Sequence, residues 1–82
     1  MELLKFEAEW CGPCEMQSKL LEDFNDIPIR EIDIEEETEL ANKYNVRSVP
    51  TLILRDKYKV YESFVGLTEK KEIQEALHHV YS

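Results

Sequence analysis

Two cysteines, few basic residues and no long apolar run set the first limits on this chain. Ten Lys and Arg stand against eighteen Asp and Glu, a net charge of −8. That balance disfavours nucleic acid, whose phosphates need cations, and anionic membrane surfaces. It keeps the chain soluble and steers it toward basic patches on partners. Cys11 and Cys14 enclose too short a loop to staple a fold, which excludes a secreted disulfide framework. The longest plain apolar run is Leu52-Ile53-Leu54, far short of a membrane span. The stretch Met1-Glu2-Leu3-Leu4-Lys5 is broken by charge at once, unlike a signal peptide. Repeats, linkers and low-complexity tracts are missing too. These absences predict a soluble monomer in a reducing compartment, the cytoplasm, folded as one domain over residues 1–82. With 43% hydrophobic and 34% charged residues the balance is globular, though so short a chain buries only about two-thirds of its unfolded surface.

The pattern along the chain predicts seven elements. Leu3 to Ala8 reads as a strand. Met16, Leu20 and Phe24, with Leu21 beside them, recur as the apolar stripe of a helix that Asn25-Asp26 and Pro28 close. Ile29 to Ile34 alternates as a second strand, and Glu35 to Tyr44 reads as a short helix with Leu40, Ala41 and Tyr44 inward. Thr51 to Arg55 and Lys59 to Val65 read as a hairpin whose turn, Asp56-Lys57-Tyr58, contains no glycine. Thr68 is the expected N-cap of a last helix carrying Ile73, Ala76, Leu77 and Val80 on one face. The order is β-α-β-α-β-β-α, an α/β fold. A helix joins the first two strands, so they are expected parallel; the last two are expected antiparallel, with helices on both faces of the sheet.

Chemistry concentrates at Trp10-Cys11-Gly12-Pro13-Cys14, between the first strand and the first helix. The N-terminus of a helix offers free N–H groups and positive dipole, which favour a thiolate at Cys11. A thiol pKa lowered from about 8.5 to about 7 raises the thiolate fraction at neutral pH from a few per cent to roughly half. Pro13 suits the first turn, and one helical turn returns Cys14 to Cys11. Cys11 is thus the expected exposed nucleophile that forms a mixed disulfide, and Cys14 the shielded thiol that resolves it. A zinc site would need two more ligands, and the adjacent His78 and His79 cannot share a helix face; no metal is expected. The acidic run from Glu31 to Glu39 has no calcium-loop spacing and reads as a solvated face.

Glu9-Trp10-Cys11-Gly12-Pro13-Cys14 resembles the active site of the thioredoxin family. Lys43-Tyr44-Asn45-Val46-Arg47-Ser48-Val49-Pro50-Thr51 resembles the segment leading into that family's cis-proline, and Val65-Gly66 the glycine flanking its substrate groove. The resemblance implies a redox-active Cys11–Cys14 disulfide with no further cofactor. It also implies a cis Pro50 opposite the dithiol and an apolar docking surface around Trp10, Gly12, Pro13, Val49, Pro50 and Gly66. Protein disulfides are then the substrates, and the electron donor resembles thioredoxin reductase. A glutathione-dependent, glutaredoxin-like enzyme is the alternative, disfavoured by Gly12-Pro13 and the acidic surface. A non-catalytic binding subunit is another, disfavoured by the intact cysteine pair.

The chain departs from the family in four ways. It starts almost at the active-site strand, so a minimal four-stranded mixed sheet of order 2-1-3-4 is expected. Lys19 replaces a helix-kinking proline, and Glu7 replaces an aromatic residue. Lys5 stands where the family usually has a buried aspartate, and Glu31 where it has a lysine. This exchange predicts a partly buried Lys5–Glu31 pair beneath Cys14. Glu31 would take the Cys14 proton, and Lys5 would favour the thiolate.

Overall fold

Strand β1 (Glu2–Glu7) divides the molecule into two cores, because successive side chains of a strand point to opposite faces. Leu3 points one way and packs with Leu21, Phe24, Leu52, Leu54, Ile73 and Leu77. Leu4 and Phe6 point the other way and pack with Ile32, Ala41 and Ile53. The computed structural model describes residues 1–81; Ser82, the end of the expected single domain, lies outside the described residues. After β1 come α1 (Gly12–Leu20), β2 (Ile29–Asp33), α2 (Thr38–Lys43), β3 (Thr51–Arg55), β4 (Val60–Val65) and α3 (Lys70–Tyr81). The sheet runs β2-β1-β3-β4, with β2 parallel to β1 and the other two pairings antiparallel. Residues from α3, from the end of α1 and from the turn after it close the first core; α2 covers the other face. The expected element order, strand order and two-faced cover are all present.

Three local expectations need correction. The inward stripe of the first helix is Cys14, Gln17, Leu21 and Phe24, spaced three, four and three apart; Met16 points to solvent. Placing Cys14 inward rotates the helix so that Gln17, not Met16, faces the interior. The second helix is shorter than residues 35–44. Asp33 accepts the Glu35 N–H on its carboxylate (2.8 Å) and the Glu36 and Glu37 N–H groups on its carbonyl, holding a turn first. Thr68 caps nothing: its hydroxyl donates to the Gly66 carbonyl, while Glu72 Oε2 accepts the Glu69 N–H at the start of α3. The hairpin does without glycine because the Asp56 carboxylate accepts the N–H groups of Tyr58 (2.7 Å) and Lys59 (3.0 Å).

How α2 ends matters for the site. Asn45 adopts φ 56°, and the N–H groups of Asn45 and Val46 bond back to the carbonyls of Asn42 and Ala41. This left-handed cap closes the helix and turns the chain toward Pro50.

Candidate active site

Cys11 sits immediately before α1 in extended backbone, as the N-cap residue. Its Sγ accepts the N–H of Cys14 at 3.1 Å, the place an Asp or Ser oxygen takes in an ordinary N-cap. Pro13 occupies the first turn, where it has no hydrogen bond to lose. The two cysteines form a disulfide with Cα atoms 5.3 Å apart. When the bond opens, the N–H that met a neutral sulfur faces a thiolate, and charge-assisted bonds are the stronger kind. The expected contrast in exposure is absent from this oxidised form, in which both cysteines are 4% exposed. Ala8, Ile34 and Val49 pack around them. What separates the two sulfurs is the helix end: Cys11 caps it, and Cys14 lies inside it.

One loop packs its Val49 against the dithiol, and a second is hydrogen-bonded to that loop. The Val49–Pro50 peptide is cis, as the resemblance implied, and Pro50 is fully buried. Thr51 pins this loop by donating its hydroxyl to the Ser48 carbonyl at 2.7 Å. The second loop begins at Gly66, whose N–H donates to the Pro50 carbonyl at 2.9 Å. Gly66 adopts φ +87°, which side chains disfavour. Gly12 is different: a Cβ there would meet nothing within 4 Å, so the fold does not need its smallness. Trp10 is 66% exposed, and its indole N–H donates to Glu35 at 3.1 Å. Met16, Val65 and Leu67 are also exposed, and Val65 and Leu67 flank Gly66 in the chain.

A thioredoxin family model matches residues 1–79. This chain belongs to the thioredoxin family. It is 40% identical to the thioredoxin of Bacillus subtilis (strain 168), covering 89% of this chain and 75% of that protein. It is likewise 40% identical to the thioredoxin of Chlamydia trachomatis serovar D, covering 87% and 74%. Among solved structures, a mutant thioredoxin from Halobacterium salinarum NRC-1 matches with a TM-score of 0.84 at 34% identity, covering 95% of this chain and 72% of that one. With its cysteine pair bonded, this thioredoxin-family chain is a thiol–disulfide oxidoreductase.

The exchanged charges resolve differently from the expectation. Lys5 and Glu31 are register partners on the parallel strands, as predicted, but their side chains do not pair. Glu31 is exposed. It lies on edge strand β2, where a carboxylate reaches water without the cost of burial. Lys5 is 3% exposed and finds its carboxylate two residues along its own strand, at Glu7, with which it makes an ion pair. Its ammonium also donates to Ser18 Oγ at 2.7 Å, and the Ser18 hydroxyl donates to the Cys14 carbonyl at 3.2 Å. Glu7, noted in the sequence only for replacing an aromatic residue, is therefore the acid of this cluster. Its signal was present: β1 alternation puts residues 5 and 7 on one face.

No group of three or more His, Cys, Asp or Glu among the described residues is placed to hold a metal ion. No described helix is long and apolar enough to cross a membrane.

Proposed function

We propose that this oxidoreductase reduces protein disulfides in the cytoplasm, acting as a monomer and a single domain. Electrons come from a donor of the thioredoxin-reductase kind. What supports this reading is the Cys11 sulfur held on the first turn of α1, with Val49 of the cis-proline loop packed against the dithiol and Gly66 bonded to that loop. An extended substrate strand pairs with the backbone of Val49, and Trp10, Gly12, Pro13, Pro50 and Gly66 bound its groove. The Cys11 thiolate attacks one substrate sulfur. A Cys11–substrate bond forms, the substrate disulfide breaks, and its other sulfur leaves as a thiolate that takes a proton from solvent. Cys14 then loses its proton to solvent and attacks the Cys11 sulfur. The Cys11–Cys14 bond forms and the second substrate thiolate departs. The donor restores the dithiol with two electrons and two protons.

Lys5 acts here as a positioning residue, holding Ser18 and through it the Cys14 backbone. Glu31, turned to water, takes no part in our scheme.

The test mixes the reduced protein with a disulfide-bonded protein and follows substrate thiols and covalent adducts. Cys11→Ser abolishes reduction, and Cys14→Ser accumulates a mixed disulfide. An adduct on Cys14 in the Cys11→Ser variant, with none on Cys11 in the other, reverses the roles. Reduction persisting without both cysteines overturns the reading.

A further inference from the structure

Gln17 is completely buried, one helical turn beyond Cys14, and takes no part in the chemistry above. Its amide makes two hydrogen bonds with the main chain of one distant residue. Nε2 donates to the Thr68 carbonyl, and Oε1 accepts the Thr68 N–H, both at 2.9 Å. Thr68 is itself buried and lies between β4 and α3, outside any strand ladder. Its hydroxyl donates to the Gly66 carbonyl at 3.0 Å, and the Gly66 N–H donates to the Pro50 carbonyl at 2.9 Å. An unbroken series of hydrogen bonds thus runs from the dithiol helix through the Gly66 loop to the cis-proline loop.

We propose that Gln17 is a positioning residue for protein-substrate docking, setting the Gly66 loop against the active-site helix. This rests on the reading of the groove given above. An apolar side chain at 17 would fill the same space and would bury the Thr68 N–H and carbonyl without partners. Apolar contact also tolerates sliding, whereas two bonds to a single residue admit one register. A groove built from three separate segments needs that register; a small disulfide, touching only the sulfur, does not.

The experiment compares the parent and Gln17→Met on a small aromatic disulfide and on a disulfide-bonded protein. Reduction of the small disulfide stays within about twofold, while KM for the protein substrate rises about tenfold at nearly constant kcat. Thr68→Val, which keeps the clamp and loses only the hydroxyl link to Gly66, gives a smaller rise in KM. In the parent, amide exchange at Thr68 is slow, as for a strand amide. A fast-exchanging Thr68 amide overturns the proposal even if Gln17→Met does not fold. So does an unchanged KM in the folded variants, or an equal loss on both substrates, which marks a purely structural role. A parent protein inert toward both substrates overturns the dithiol reading and the docking role together.

Discussion

The two faces of the sheet solve the same packing problem with different chemistry. Under α2 the core is Leu4, Phe6, Ile32, Ala41 and Ile53, and the buried polar side chain on that face, Thr51, lies at its edge and donates to the Ser48 carbonyl of the cis-proline loop. Under α1 and α3 the apolar core of Leu3, Leu52, Leu54, Ile73 and Leu77 also accommodates Lys5, Gln17 and Thr68. All buried side-chain nitrogen and oxygen atoms among the described residues have partners. The polar groups are not scattered. Lys5 reaches the Cys14 backbone through Ser18, and Gln17 reaches the Gly66 loop through Thr68. Apolar contact suffices where the fold needs only cohesion, and buried hydrogen bonds appear where segments around the dithiol need fixed relative positions.

The largest expected effect breaks the apolar face. Phe6 is fully buried and meets the Tyr44 ring at a centroid distance of 5.9 Å. Phe6→Ala should cost about 3–5 kcal/mol in denaturant unfolding. A loss below about 1 kcal/mol would show that this face collapses around the gap and is no rigid core.

Next come the members of the buried pair, which should be unequal. Glu7→Gln leaves the Lys5 ammonium buried without its carboxylate and should destabilise by roughly 2 kcal/mol, below the 3–5 of a fully buried pair because Glu7 is partly exposed. Lys5→Met removes the buried charge and leaves Glu7 free to face water, so unfolding should change by less than about 1 kcal/mol. The double variant should resemble Lys5→Met alone. Equal single effects that simply add would mean the pair does not hold in solution. Glu31→Gln serves as control and should change stability by less than about 0.5 kcal/mol, as an exposed site does.

The smallest effect lies outside both cores, at the hairpin turn. The Tyr61 hydroxyl, with the N–H groups of Tyr58 and Lys59, holds the Asp56 carboxyl at about 2, below its ordinary 3.8. A depressed carboxyl pKa stabilises the fold fully above the unfolded value, and that contribution fades as pH falls from 3.8 through about 2. The denaturant midpoint of the parent should therefore fall more than that of Asp56→Asn across this window. Parallel curves would mean the turn does not hold its carboxylate.

Much of this was legible because period carries direction. The charge exchange against the family pattern predicts Lys5 beside Glu31, alternation agrees with it, and the sheet has that register. It did not say where two long side chains end. Lys5 chose a carboxylate on its own strand, and Glu31 on the edge chose water. Gln17 shows the opposite failure. The apolar stripe expected from hydropathy runs through Met16, Leu20 and Phe24 and passes Gln17 by. The spacing of Cys14, Leu21 and Phe24 already pointed inward through position 17, but only a partner across the core makes a buried amide affordable. Thr68 departs from its expected cap for the same reason: its backbone is claimed by Gln17, fifty-one residues away in sequence.

By itself the sequence determined the element order, the place of the dithiol on a helix start and the acidic character of the surface. Each depends on local spacing or on composition, which the chain carries wherever it folds. Tertiary structure alone decided which carboxylate meets Lys5, that both cysteines are sheltered in the disulfide, and that Gln17 ties the active-site helix to the loop at Gly66. Those outcomes depend on which groups lose water together, and desolvation is a property of the packed neighbourhood, set by residues far apart along the chain.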